Sequence, residues 1–409
     1  MFFFFCEILS FVRTVISFFG TAFAVLHGYS IAKIFENFWE SKTLFIKRVL
    51  VGSRGDAPCV SLYLIGVFMK DLLISLSGLM AIPGYEGFDS DRLRVLICPH
   101  FDDFYSDAVG NHVFVKRSGK SDARKMLIDT HFDEIGMIVN GIYDGGFVSV
   151  VGCGGVDRRT LPAGEVVIWG KDREKIYGVV VSTPPHLAVG DASRVPDMAS
   201  IRIDTGYDKD VLESKISLGA PVTMLDGGGD LLNDCVTGKA FDNRSSVAAA
   251  VCALASVDKA DMAYDVYVAV SAKEETGMNG AKMAGFKIEP DLALVVDVNL
   301  ANTPDTPGER TVKCGQGAAI SVSAITDRRL TEKIIALAAE KEIKHQTILE
   351  AKGTGTNADA LTLVGGGIPV TVMGAPLKGM HTPTEALLMG DLESLRDLIA
   401  AAVKCADLV

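Results

Sequence analysis

From residue 243 to the C-terminus, apolar β-rich runs alternate with stretches of helical spacing. The helical stretches cover 243–256, 329–341 and 391–404. The runs 265–272, 292–298, 321–324 and 368–373 read as buried strands. Strands that are apolar throughout must be covered on both faces, and helices between them return the chain to start the next strand in parallel. The expected fold class is therefore α/β: an α/β/α sandwich around a central mixed, largely parallel sheet. Active sites in such sheets lie at the carboxyl ends of the strands.

The chain upstream has a different texture. Residues 69–82 carry the spacing of an amphipathic helix, with Leu72, Leu73, Leu76, Leu79 and Met80 facing inward and Pro83-Gly84 stopping it. A second helix is expected over 91–97 and a buried strand over 125–130, which delivers His131. From 136 to 230 glycines are frequent, long helical periodicity is absent, and short β-rich runs recur at 147–151, 165–169, 176–181 and 221–224. This predicts a small all-β domain inserted into the larger one. The larger domain then comprises 69–135 and 231–409.

Residues 1–68 match neither part. Met1 to Phe5 is nearly all phenylalanine, and Thr14 to Ala32 has no Asp, Glu, Lys or Arg across 19 residues. That length is close to a membrane span. The expectation is a hydrophobic extension foreign to the native protein, with a membrane anchor as the alternative. Met69-Lys70-Asp71-Leu72-Leu73 has the look of an ordinary cytosolic start, so a cytoplasmic protein is expected.

A formal net charge of -11 argues against a nucleic-acid partner. The eight cysteines include no C-x-x-C pair. Cysteine zinc sites and a dense disulfide framework are thereby disfavoured. Any metal ligands should be His and carboxylate.

Such residues recur at the ends of the apolar runs. Lys273-Glu274-Glu275-Thr276-Gly277 follows the run 266–270, and two adjacent carboxylates repel unless a cation sits between them. His131 and Asp133 lie in Thr-His-Phe-Asp-Glu, Asp297 in Val-Val-Asp-Val, His381 in Met-His-Thr-Pro-Thr-Glu, and Asp242 opens a helix in Ala-Phe-Asp-Asn-Arg. Two hydrolytic metals need a carboxylate between them and His and carboxylate ligands on either side. Asp242 is the candidate bridge. Adjacent glutamates can split the work, one on the metal and one taking a proton. A ligand His wants its second nitrogen held by a carboxylate, and Asp133 can serve His131. Taken singly each residue has a plainer reading. A lone His near a strand is usually structural, a Glu pair usually solvated, and Asp242 an ordinary helix cap. Only the set points to a metal centre.

The set resembles a known family. From Met69 to the C-terminus the chain is similar to the cytosolic di-metal aminopeptidases related to glutamyl aminopeptidase, which include the tetrahedral (TET) aminopeptidases and proteins labelled endoglucanase in old annotation. The resemblance is carried by Thr130-His131-Phe132-Asp133-Glu134-Ile135-Gly136, Gly154-Gly155-Val156-Asp157, Leu161-Pro162, Pro184-Pro185-His186-Leu187 and Ile203-Asp204-Thr205-Gly206. It continues in Phe241-Asp242-Asn243-Arg244, Glu274-Glu275-Thr276-Gly277, Val296-Asp297-Val298, Thr354-Gly355-Thr356-Asn357-Ala358-Asp359-Ala360 and His381-Thr382-Pro383-Thr384-Glu385.

The resemblance implies a zinc-exopeptidase-like sandwich with two divalent ions per subunit, zinc or alternatively cobalt. It assigns His131 and Asp297 to one ion and Glu275 and His381 to the other. Asp242 would bridge them, Glu274 would be the general base and Asp133 would orient His131. His186 is expected in a loop role. The inserted β domain corresponds to a dimerisation domain, whose dimers build hollow dodecamers, and a cis peptide is implied after Asp242. Three positions depart from the pattern: Thr130 stands where Ala is common, and Asn243 and Asn357 where many relatives have Asp. None is an assigned ligand. The expected function is a metal-dependent aminopeptidase acting on peptides. The alternatives are another di-metal exopeptidase or deacylase, or a non-catalytic membrane-anchored scaffold. Glycosidases place two carboxylates across a sugar, so carboxylates committed to metals disfavour a glucanase.

Overall fold

The computed structural model describes residues 68–187, 195–306 and 308–409. The expectations for the N-terminal extension lie outside the described residues, except at Phe68. This residue is already helical, and its ring meets His100 edge-on with 5.4 Å between centroids.

The described strands, in chain order, are β1 (Asp103–Ser106), β2 (His112–Lys116), β3 (Arg124–His131), β4 (Gly136–Ile142), β5 (Val148–Cys153), β6 (Glu165–Trp169), β7 (Lys175–Val180), β8 (Arg202–Asp204), β9 (Pro221–Met224), β10 (Gly229–Leu231), β11 (Cys235–Gly238), β12 (Tyr264–Ser271), β13 (Leu292–Leu300), β14 (Ala318–Ser323), β15 (His345–Glu350), β16 (Val370–Leu377) and β17 (Glu385–Leu388). Eight form one sheet in the order β1-β2-β12-β3-β13-β16-β14-β15. Its centre, β12-β3-β13-β16, is parallel, and β15 joins β14 in parallel. The remaining pairs are antiparallel. The fold is thus α/β around a large mixed sheet.

Strand periodicity divides the core in two. On β3, Met126 and Ile128 point into one apolar cluster and Leu127 into another; on β13, Leu292, Leu294 and Val296 join the first, and Ala293 and Val295 the second. The first cluster is closed by residues 68–77 and by helices Phe241–Ser256 and Met389–Lys404, the second by helices Asn279–Ile288 and Ala358–Leu361. Helix Phe241–Ser256 is buried along nearly its whole length. Its small side chains, Ala248 to Ala250 and Ala253, let it lie between the sheet and the C-terminal helix.

The first helix ends at residue 77 rather than 82, because Gly78 follows. Leu79 and Met80 remain buried in the strap beyond it. Strands β4, β5, β8, β7, β6 and β9 close a barrel within 136–224, filled by its own cluster of Met137, Val139, Val148, Val150, Ile168, Ile203 and Val222. Closure leaves no open sheet edge. Among the described residues no helix is long and apolar enough to cross a membrane.

Candidate metal centre

The site gathers where parallel strands end. His131 is the last residue of β3 and pairs in register with Ser271, the last of β12. Three residues further on, the short helical turn Glu274–Gly277 opens after Lys273, whose φ is 58°. Asp297 lies on β13 opposite Gly374 of β16. Asp242 begins the helix Phe241–Ser256 with non-helical φ and ψ of -76° and 100°, and its peptide to Asn243 is cis. His381 lies between β16 and β17 with φ at 63°.

Two donor sets result: His131, Asp242 and Asp297; and Asp242, Glu275 and His381. Within each, one donor atom per residue lies within 4.8 Å of the others. Asp242 belongs to both and turns one oxygen to each. Its Oδ1 is 3.0 Å from His131 Nε2, and its Oδ2 is 3.4 Å from His381 Nε2. Asp297 Oδ1 is 3.8 Å from His131 Nε2, and Glu275 Oε1 is 3.4 Å from His381 Nε2. Glu274 belongs to neither set, yet its Oε2 comes within 4.0 Å of His131 Nε2.

Both imidazoles are oriented alike. His131 Nδ1 donates to the Asp133 carbonyl at 2.9 Å, and His381 Nδ1 donates to the Gly155 carbonyl at 3.0 Å. With Nδ1 engaged by a carbonyl, each Nε2 points at the carboxylates, and once deprotonated it offers its lone pair to a metal there. Here the structure differs from the expectation for Asp133. Its carboxylate stands 3.8 Å from His131 Nδ1 and instead accepts the backbone N–H groups of Glu274 and Glu275, each at 3.1 Å. Asp133 thus holds His131 by its backbone and caps the turn of the two glutamates by its side chain. An anion is favourable at that position because the first amides of a helical turn point out of it unsatisfied.

The electrostatics call for cations. Burial pushes Glu274 and Glu275 up to about 7, and the Asp242 charge adds to it. Burial likewise drives Asp297 well above its usual range. Burial would raise Asp242 too, but the imidazoles of His131 and His381 hold it below the carboxylate range. Hydrogen bonding to Asp242 lifts His381 to about 9. Clustered carboxylates with two imidazoles as their close positive partners fit divalent cations, which stabilise every anion at once.

Residues 110–398 match the family model described as M42 glutamyl aminopeptidase. The chain belongs to this family. Lysyl aminopeptidase of Pyrococcus furiosus is 27% identical to it over 79% of this chain and 94% of that one. Among solved structures, an aminopeptidase of Desulfurococcus kamchatkensis superposes with a TM-score of 0.77 at 30% identity, covering 83% of this chain and 95% of that one. The TET1 peptidase of Pyrococcus horikoshii, which can assemble into a tetrahedron or a large octahedral shell, superposes at 0.72 with 27% identity over 82% and 99%. This M42 chain is a metal-dependent aminopeptidase and hence a hydrolase of peptide bonds.

Several residues of the M42 site escaped the sequence reading. Glu385, buried, spans two loops: Oε1 accepts the His381 N–H at 3.0 Å and Oε2 the Asp242 N–H at 3.1 Å. Its only sequence signal was a place in the His381 motif. Glu134 and Lys239 form a buried ion pair at 2.6 Å, with Arg244 at 3.9 Å from the same carboxylate and stacked over Phe132 at 4.1 Å. This pair fixes the segment after His131 to the segment before Asp242. Asn357 donates to Asp129 Oδ1 at 2.6 Å and to Ser271 Oγ at 2.9 Å, and Asn243 donates to the Val296 carbonyl at 2.9 Å. A carboxylate could make none of these bonds as donor, which accounts physically for an amide at both places. His186 is exposed in a short 3-10 turn and belongs to neither donor set.

Proposed function

We propose that the chain removes N-terminal residues from peptides with two divalent ions, zinc or cobalt. His131 and Asp297 would hold one, Glu275 and His381 the other, and Asp242 would bridge them. The observation that carries this is the split of the Asp242 carboxylate, one oxygen toward each imidazole. Bound at these donors, the ions would polarise the scissile carbonyl and make a water acidic near neutral pH. Glu274, in neither donor set, accepts that proton on its carboxylate and passes it to the departing amine. The Asp133 carboxylate holds the turn that carries Glu274, and the Asp133 and Gly155 carbonyls hold the two imidazoles. The test is a panel of aminoacyl-nitroanilides on protein stripped with chelator and reloaded with measured metal. Activity that returns with two equivalents of metal supports the assignment; full activity in chelator rejects it.

We further propose a dimer through the barrel, built up into a larger shell, in the cytoplasm and acting on peptides. Strand β7 supports this. Its inward residues Ile176, Gly178 and Val180 are buried while Tyr177, Val179 and the following Val181 face out, at least 47% exposed. A row of apolar side chains on an outer face is what an interface between copies covers.

A further inference from the structure

The cavity that contains both donor sets measures about 500 Å³, and Asn299, Ser321, Ile348, Glu350 and Val372 also line it. Sheet register explains why these five meet. Ser321 pairs with Ile348 on one side and Val372 on the other. Directly paired residues point to the same face, and so do residues two apart along a strand. Glu350 is two on from Ile348, Gly374 two on from Val372, and Asn299 two on from Asp297, which itself pairs with Gly374. The Asp297 carboxylate and all five residues therefore share one face of the sheet. Gly374 leaves the room for this: a Cβ there would come within 2.6 Å of Asn299 Oδ1.

Three buried polar atoms of this wall have no hydrogen-bond partner in the protein: Asn299 Oδ1, Ser321 Oγ and Glu350 Oε2. Ser321 itself is 1% exposed. Among the described residues, none of the ion pairs includes Glu350. Burial pushes its carboxyl up, and the Ser321 hydroxyl, near it but short of hydrogen-bond geometry, offsets that only in part. Buried polar atoms are almost always satisfied, so three in one pocket point to a ligand group. Two are acceptors and the third can accept. An ammonium offers three donors and no acceptor. Ile348 and Val372 flank this end with apolar surface suited to a methylene stem. Arg310 also lines the cavity but is exposed, so it cannot serve as the buried counter-ion.

We propose that this wall receives the side chain of the substrate's N-terminal residue and selects a long basic one, lysine above all, with Glu350 as the partner of its ammonium. The inference rests on the aminopeptidase reading above and names its substrate class. An acidic or purely aliphatic side chain would leave the three acceptors unmet, a loss a polar pocket cannot recover elsewhere.

The test uses the metal-loaded full chain with lysyl-, norleucyl- and glutamyl-p-nitroanilide. Norleucine keeps the methylene stem and lacks the ammonium. A hydrogen-bonded charge should give lysyl over norleucyl a kcat/KM advantage of about 10- to 100-fold. Glu350→Gln should remove most of that ratio. Calorimetry with L-lysine and L-norleucine, on the wild type and on Glu350→Gln, reads the same discrimination without turnover. A wild type that prefers norleucyl or glutamyl substrate overturns the inference, as does a lysyl ratio that survives Glu350→Gln. If no substrate is hydrolysed with metal bound, the aminopeptidase reading fails instead. Calorimetry then still decides the pocket: tighter lysine binding upholds it, and equal binding of the two amino acids overturns it.

Discussion

Glu274 and Glu275 are neighbours on one turn, both amides of which Asp133 holds, yet their carboxylates face different partners. Glu275 faces His381 at 3.4 Å, whereas Glu274 stands free of both donor sets. Glu274→Gln keeps the side chain's shape; on the proposed mechanism it keeps the metal and removes the proton acceptor. Its kcat should fall by about 10²–10⁴-fold, with bound metal measured alongside by atomic emission. A variant that keeps near-normal turnover places the base elsewhere. Gly155 is a subtler case. A Cβ there would lie 2.6 Å from His381 Nδ1, so the ring would have to leave its carbonyl partner. Gly155→Ala should weaken metal affinity by about 10–100-fold, as loss of an orienting partner does. A metal titration with a fluorescent competitor would read it, and unchanged affinity would show that the ring does not depend on that carbonyl.

At the level of elements, the centre depends on segments that are locked together away from the ligands. The buried Glu134–Lys239 pair ties the end of β3 to the entry of helix Phe241–Ser256, and Arg244 braces it. Lys239→Met leaves a buried carboxylate with only the more distant guanidinium. Breaking such a pair from one side costs about 3–5 kcal/mol, and a urea melt should show a drop near the lower end because Arg244 remains. Less than about 1 kcal/mol would mean that the pair is dispensable. The barrel also reaches into the centre, since Gly155 follows β5 and its carbonyl holds His381. The segment leaving the barrel thus contributes to the candidate metal centre, beside the dimer surface proposed for β7.

For the whole molecule, two predictions follow from burial and from linkage. A charge in the outward apolar row of β7 should oppose any interface built on it. Val179→Asp is exposed in the single chain, so the fold should tolerate it while sedimentation shows a smaller species. An unchanged assembly would place the interface elsewhere. Metal bound only by the folded state stabilises it by mass action, about 2.7 kcal/mol at a hundredfold excess over Kd. Chelation should therefore lower Tm, and graded zinc should restore it. A Tm indifferent to chelator and metal would remove the centre from the fold's energetics.

The sheet, its flanking helices and the residues of the candidate donor sets were legible in the sequence because each leaves a local trace. Apolar runs such as 266–270 and 292–298 can be satisfied only by burial on both faces, and His131, Asp242, Glu274, Glu275, Asp297 and His381 sit in recognisable motifs. What could not be read were relations between distant segments. β15 is a polar edge strand, His-Gln-Thr-Ile-Leu-Glu, with no buried residue to give it a signal. Only its pairing with β14 brings Glu350 onto the face that carries Asp297. The Asp133 carboxylate was assigned to His131 on sequence proximity, yet the turn of Glu274 lay close enough to claim it. Glu385 and Lys239 likewise gained their roles from partners more than 100 residues away. Periodicity and ligand chemistry are properties of short stretches, whereas register, orientation and the choice among hydrogen-bond partners arise only once the chain has closed on itself.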